Sequence, residues 1–433
     1  MKVMYLTGYM PGCVGKLIYG GEYANDTGAW AQALAELIIR DTDIELVCVC
    51  GDRRGRVSGR RGRLSWYAFH APKVADTACD RKRQGFFRDI ILQEKPDLVH
   101  IWGTEYVWTL EMLRAAEGLA PCVISLQGLI SACAKVYTKG LMSEAVSGRT
   151  FHDMVRGDGI AETARRFALR GEAEKEALLR AKAVIGRTSW DRSVVASINP
   201  DAVYHRCEEL IRPVFLKGRR WSYEECEKHS LFMSQASYPI KGMHMALEIV
   251  RRLKESYPDV HLYTTGRSAV CKSMSDRLRQ NSYERYLSRR ISEYSLDDNV
   301  TWLGHLDAAG MREQYLKANV FLLPSLVENS SNSLTEAMAL DTPFVATDTG
   351  GTPDMVGDAG RGRLFEPDDT QRAVMLIDEI FKQKEAEGFE DFRRLGEMAR
   401  ASHNEKKILM QYMNCYEDVI RKDTYRKSTG IKK

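Results

Sequence analysis

The segment Glu328-Asn-Ser-Ser-Asn-Ser-Leu-Thr-Glu336-Ala-Met-Ala-Leu-Asp-Thr-Pro343 decides how the second half of this chain is read. An apolar run at residues 320–323 precedes it, and a short helical pattern follows its serine-rich turn. Strand, capped turn and helix in that order make a βα unit. Ser330, Asn332 and Ser333 are natural caps within it. The backbone N–H groups of such a helix N-terminus attract anions, and a diphosphate suits them. Glu328 falls in the loop before the cap and Glu336 about one turn inside the helix. Two carboxylates therefore bracket an anion-binding turn, where each can accept hydrogen bonds from the hydroxyls of a bound ligand.

The same rhythm runs along the chain on both sides. Further strands are predicted at 231–234, 260–264, 300–303 and 343–347, with helices at 244–255, 274–293 and 308–316. The first half offers strands at 2–6, 45–50, 97–102, 122–126, 183–187 and 202–205, with helices at 30–39 and 171–181. Short apolar runs alternating with longer amphipathic ones imply parallel sheets. A chain of 433 residues favours two cores over one. The rhythm breaks and restarts near 208–217, which gives an N-terminal domain over 1–210 and a C-terminal domain over 211–403. A last helix at 404–421 carries Ile408, Tyr412, Cys415 and Val419 on one face, and packing back on the first domain would bury it. The expected fold class is α/β, with two Rossmann-like domains facing across a cleft.

Composition excludes several classes. With 44% hydrophobic and 28% charged residues the chain reads as globular, and a net charge of +4 gives no support to nucleic-acid binding. Ten cysteines lie scattered without a CxxC pair, which suggests reduced thiols in a cytoplasmic protein rather than a zinc site. The most apolar window, 118–134, contains Pro121, Gln127 and Gly128 and falls short of a membrane span. Gly12-Cys-Val-Gly-Lys-Leu17 is not a phosphate loop, because Met10 and Leu17 stand where glycine and Ser or Thr are needed. Arg53, Arg54, Arg56, Arg60, Arg61 and Arg63 form either a solvated loop or a contact with anionic lipid headgroups or a lipid diphosphate.

The bracketed turn resembles the E-x7-E signature of the family 4 (group 1) retaining glycosyltransferases, which have the GT-B fold. It is most similar to a bacterial subset that reads ENSPNS, with Ser331 where proline is usual. The resemblance implies that Glu328 meets the donor sugar and Glu336 the ribose. It places Asn329, Ser330, Asn332, Ser333 and Leu334 around the diphosphate and sugar. The stretch from Phe232 to Lys241-Gly242 resembles the family's GR…KG segment, where arginine and lysine stabilise the leaving diphosphate. Lys241 matches the lysine, whereas Gln235 stands for the arginine; Arg267, after Thr265-Gly266, is the candidate replacement. Gly304-His305 resembles the strand end beside the base, and Gly350-Gly351 the family's glycine turn.

In the first half, Asn25-Asp-Thr-Gly28-Ala29 resembles the family's glycine loop, with Gly20-Gly21 as its rival. Glu105, Gln127 and Gly128 resemble acceptor-side positions, although many relatives carry histidine where Gln127 stands. His100 reads as a satisfied structural histidine. Arg187 and Glu209 read as cleft residues or as a plain ion pair. The implied activity is retaining transfer of a sugar from a nucleotide-diphosphate donor to a glycan or lipid-linked acceptor, in cell-surface polysaccharide assembly. Lys241 and Glu328 would be catalytic, with no metal and no cofactor beyond the donor. The partners would be the donor, the acceptor and a peripheral contact with the inner face of the membrane through the arginines, and no nucleic acid. A catalytically silent sugar-nucleotide-binding subunit, which Gln235 and Gln127 favour, and a sugar-nucleotide epimerase are the alternatives.

Overall fold

Strands such as Lys2–Thr7 and Ala318–Leu323 are buried almost throughout, as parallel strands covered on both faces must be. A computed structural model describes residues 1–20, 28–72, 75–383 and 386–429. The chain divides into two units. The first comprises Met1–Ser131, Ala168–Arg212 and Ser402–Lys433; the second comprises Ala132–Phe167 and Pro213–Ala401.

The first unit holds an eight-stranded sheet: β1 (Lys2–Thr7), β2 (Glu45–Asp52), β3 (Ser58–Arg61), β4 (Leu64–His70), β5 (Leu98–Trp102), β6 (Cys122–Ser125), β7 (Ala183–Gly186) and β8 (Val203–Arg206). Their spatial order is β3-β4-β2-β1-β5-β6-β7-β8, parallel except for the β3–β4 hairpin. The second unit holds six parallel strands: β9 (Glu227–Met233), β10 (His261–Thr264), β11 (Val300–Trp302), β12 (Ala318–Leu323), β13 (Phe344–Thr347) and β14 (Leu364–Phe365). Their order is β11-β10-β9-β12-β13-β14. Both orders run outward in two directions from a central pair, the doubly wound pattern in which ligands bind beyond the carboxyl ends where the order reverses. That switch point falls between β1 and β5 in one unit and between β9 and β12 in the other.

Three features differ from the sequence reading. Residues 132–167 group with the second unit, not with the first 210 residues. Their bonds explain it: Ser282 N donates to Asp153 Oδ1 (3.3 Å) and Ile160 N to Ser282 Oγ (3.3 Å). The arginine-rich stretch carries strands β3 and β4 where a loop is expected, and Trp66 and Phe69 of β4 are buried. The helix expected at 274–293 is two helices, Met274–Arg279 and Ser282–Glu293, because Asn281 caps the second with a reciprocal bond to Glu284.

In the helix Glu405–Thr429, Ile408, Tyr412, Cys415, Tyr416 and Val419 are buried in the first unit's core. Tyr416 Oη lies 3.0 Å from Tyr5 Oη and 2.7 Å from His100 Nδ1, while His100 Nε2 lies 2.7 Å from Ser125 Oγ. Burial pulls the His100 pKa down to about 3, so this histidine is neutral and satisfied on both ring nitrogens.

Candidate active site

In the second unit, the loops leaving β9 and β12 meet at the switch point. The loop after β9 ends in the turn Pro239–Lys241, and Gly242 follows with φ +74°. A side chain at Gly242 would collide with the Pro324 carbonyl oxygen, so only glycine lets the two loops touch there. Leu326 N then donates to Ile240 O (2.7 Å). This stitching brings Lys241 Nζ to 2.5 Å from Glu328 Oε1, an oxygen that also accepts from Ser325 Oγ (2.7 Å). The side chains remain 20% and 11% exposed. Burial by itself would lower the pKa of the Lys241 ammonium, but the adjacent Glu328 charge overrides it and raises the pKa.

Glu328 is held from its other side by the glycine turn after β13. Gly351 N donates to Glu328 O (2.9 Å). Gly350, at φ +57°, approaches that carbonyl so closely that a Cβ would overlap it. The match of Gly350-Gly351 to a glycine turn thus has a local physical reason.

The helix after Glu328 is Asn332–Ala339, and its cap is Ser331. The expectation of Ser330, Asn332 or Ser333 as cap is corrected: Asn332 and Ser333 are already helical, and it is Ser331 Oγ that accepts from Leu334 N (3.3 Å). Ser333 Oγ lies 3.0 Å from Ser331 Oγ, and Asn329 is buried just before the cap. Glu336 sits one turn inside the helix, 6% exposed, and its Oε2 accepts from Tyr315 Oη (3.3 Å). Gly266 N donates to Gly304 O (2.8 Å), which closes the ends of β10 and β11, and His305 beside it is exposed. Gln235 Nε2 donates to Ser237 Oγ (3.3 Å).

Arg267 does not replace the missing arginine in this arrangement. Its guanidinium donates to Glu284 Oε2 and to the Arg279 carbonyl, both at 2.7 Å. Among the described residues, one trio has metal-ligand geometry: His152, Asp153 and Asp158, within 4.8 Å of one another. Asp153 there already closes a capping box with Thr150.

At the switch point of the first unit the groups differ. Gly28 begins the helix Ala29–Asp41 at φ +70°, hard against the Tyr9 ring that follows β1. Gly21, Asn25, Asp26 and Thr27 of the two glycine-loop candidates lie outside the described residues. After β5, Glu105 Oε1 accepts from Gly128 N (2.7 Å). Burial drives the Glu105 carboxyl up to about 7, against the pull of the Gly128 N–H. Gln127 Nε2 donates to Glu209 Oε1 (2.5 Å), and Glu209 also pairs with Arg187. Both members of that pair are buried, and Arg187 Nη2 donates to Leu126 O (3.1 Å).

Sequence reading missed Glu174. From the helix Ile160–Arg180 it accepts from Thr104 Oγ1 (2.5 Å), Ile130 N (2.9 Å), Ser131 N (2.9 Å) and Ser131 Oγ (2.6 Å). It thereby satisfies the first N–H groups of the helix Ile130–Val136 from 43 and 44 positions away. No local motif marks such a residue; a glutamate on the apolar stripe of a helix is the only hint.

The chain is similar to known glycosyltransferases in sequence and in fold. Over 137 residues, 31% of this chain, it is 31% identical to N-acetyl-alpha-D-glucosaminyl L-malate synthase of Bacillus anthracis, covering 34% of that protein. Over 195 residues, 44% of this chain, it is 28% identical to phosphatidyl-myo-inositol mannosyltransferase of Mycolicibacterium smegmatis, covering 45% of that protein. The matched stretches thus span less than half the length of these curated relatives. The Anabaena protein HepE, solved in complex with UDP and glucose, superposes with a TM-score of 0.63 over 96% of this chain and 98% of its own, at 13% identity. The two units are Rossmann-like domains of the GT-B glycosyltransferase fold, and residues 220–402, within the second of them, match the family described as glycosyl transferases group 1.

Proposed function

We propose that this chain is a family 4 retaining glycosyltransferase that moves a hexosyl group from a nucleotide-diphosphate sugar to a glycan or lipid-linked acceptor in cell-surface polysaccharide assembly. The observation that carries the proposal is the Lys241–Glu328 pair at the switch point of the second sheet, followed directly by a capped helix N-terminus. An incoming diphosphate competes with Glu328 for the lysine. Lys241 and the N-terminus of the helix Asn332–Ala339 then stabilise the charge that develops on the leaving group. Glu328, released from Lys241, accepts hydrogen bonds from sugar hydroxyls, and Glu336 accepts from the ribose diol.

The acceptor hydroxyl attacks from the face the diphosphate leaves as the anomeric C–O bond to the diphosphate breaks, and its proton passes to the departing phosphate oxygen; the anomeric configuration is retained and no covalent nucleophile from the protein is required. The donor is the only activated group the step needs. UDP and glucose bound by HepE support a nucleotide-sugar donor, and the phosphatidyl-inositol in the name of the mycobacterial relative supports a lipid-linked acceptor.

The test is turnover of UDP-, GDP- and ADP-sugars by the purified chain, with the anomeric configuration of the product read by NMR. Lys241→Ala and Glu328→Ala should each lower kcat/KM by about 10²–10³-fold, the usual cost of removing one preorganised electrostatic contact. Gln235 in place of an arginine favours one second reading, a subunit that binds sugar nucleotides without turning them over. Binding without transfer or hydrolysis by the unmodified chain would establish that reading instead.

A further inference from the structure

We propose that the second unit carries a docking face for an anionic lipid bilayer, formed by the helices Phe151–Arg156 and Met274–Arg279. The two short helices pack against each other. Phe151, Met154 and Val155 follow i, i+3, i+4 spacing and are 59%, 64% and 70% exposed. Met274 and Leu278, one turn apart on the other helix, are 71% and 56% exposed. The opposite side of the first helix is anchored: Asp153 is buried, and its carboxylate accepts from Thr150 N (2.8 Å) and Ser282 N (3.3 Å). The second helix is followed by buried Gln280, whose Nε2 donates to Ala269 O (2.8 Å). The apolar faces are therefore fixed outward by the way the helices are held. Five apolar side chains on two contacting helices, each more than half exposed, mark an interaction surface.

Charge selects the partner. Arg156, Lys272, Arg277 and Arg279 are exposed and form no ion pair among the described residues. Arg149 and Arg267 are paired, with Glu162 and Glu284 respectively. An apolar centre with a cationic rim matches the acyl boundary and anionic headgroups of a bilayer, where each nearby cation strengthens binding roughly five-fold. Four of the six arginines between residues 53 and 63 are already engaged. Arg54 lies over the Tyr19 ring (4.2 Å) and Arg56 over the Phe86 ring (4.9 Å). Arg60 donates to Glu45 (3.1 Å), and Arg63 donates to the carbonyls of Ile39 and Thr42. No described helix is long and apolar enough to cross a membrane, so the contact proposed is peripheral.

Co-sedimentation of the full chain with vesicles tests this without donor or acceptor, so its outcome is separable from that of the glycosyltransferase reading. The probes are phosphatidylcholine alone and phosphatidylcholine with about a third phosphatidylglycerol. The chain should bind the anionic vesicles at least about tenfold more tightly, and salt should weaken that binding. A variant with serine at Phe151, Met154, Val155, Met274 and Leu278 should lose at least about tenfold. One with Arg156→Gln, Lys272→Gln, Arg277→Gln and Arg279→Gln should do the same, while one with Arg54→Gln, Arg56→Gln, Arg60→Gln and Arg63→Gln should change little. Equal binding to both vesicle types, no binding, or wild-type binding by a patch variant with unchanged thermal unfolding would overturn the proposal. So would a self-associated chain in ultracentrifugation that either patch variant converts to monomer, since the face would then be a protein interface.

Discussion

At the switch point of the second sheet, Lys241 and Glu328 form a close pair that stays 20% and 11% exposed. Near that of the first sheet the charged pair is Arg187 with Glu209, at 6% and 5%, enclosed further by Gln127 and the Leu126 carbonyl. The folding pattern is the same and the chemistry differs. A pair with one side toward solvent can exchange its partner for an anionic ligand at modest cost, because water or ligand takes over the released charge. A pair sealed on all sides cannot separate without leaving a charge buried, so it serves to hold the loops after β6 and β8 in place. The pair open to solvent lies in the second unit and the sealed pair in the first.

Stability measurements would test that distinction most sharply. Arg187→Ala should destabilise the chain by about 3–5 kcal/mol in denaturant unfolding, because Glu209 would remain buried without its guanidinium. Lys241→Ala should cost only about 1 kcal/mol, although the proposed function expects a large effect on turnover. Replacing both buried partners, Arg187→Met with Glu209→Leu, should restore most of the loss. Equal costs at Arg187 and Lys241 would erase the contrast between the two units.

The second test concerns Glu105, which burial holds at about 7 against an ordinary 4.5. A raised carboxyl pKa means that the folded state binds the proton more tightly than the unfolded chain. The stability it contributes is complete below about pH 4.5 and is lost as the pH rises through about 7. The total is on the order of 3 kcal/mol at 1.36 kcal/mol per unit. Glu105→Gln keeps an acceptor for Gly128 N and removes the titration. The difference in unfolding free energy between the variant and the unmodified chain should therefore grow by that amount between about pH 4 and about pH 8. A pH-independent difference would show that the carboxylate reaches water.

How much of this could be read in advance depended on whether a residue's partners lie nearby in sequence. The Glu328–Glu336 segment was legible because strand, turn and helix follow one another, and Lys241-Gly242 because it repeats that grammar at the preceding switch strand. The β3–β4 hairpin was not, because its arginines read as a solvated run and hid the apolar positions Leu64, Trp66 and Phe69. The grouping of residues 132–167 with the second unit rests on bonds such as Asp153 to Ser282, 129 positions apart. The buried acceptor Glu174 is of the same kind. Position after a glycine at a strand end makes Arg267 a candidate phosphate ligand, but a carboxylate on the neighbouring helix, Glu284, sets its direction.

The smallest effect expected is at Ser331, and it separates capping from the donor chemistry of the same segment. Ser331→Ala removes the Oγ that accepts from Leu334 N and should cost about 1 kcal/mol of stability, whereas Ser330→Ala should cost only a few tenths. Ser331→Pro installs the residue usual in the resembled subset. The backbone at this position has φ −76°, within the range proline adopts, and its N–H reaches only the Met355 sulfur (3.1 Å), a weak acceptor. Proline gives up the cap but also narrows the unfolded ensemble, an effect of about 0.4–1 kcal/mol. Its stability should fall between those of the alanine variant and the unmodified chain. If proline proves worse than alanine, the loop before the helix has a conformation that the shared motif does not specify, and Ser331 is a compensated departure rather than an interchangeable cap.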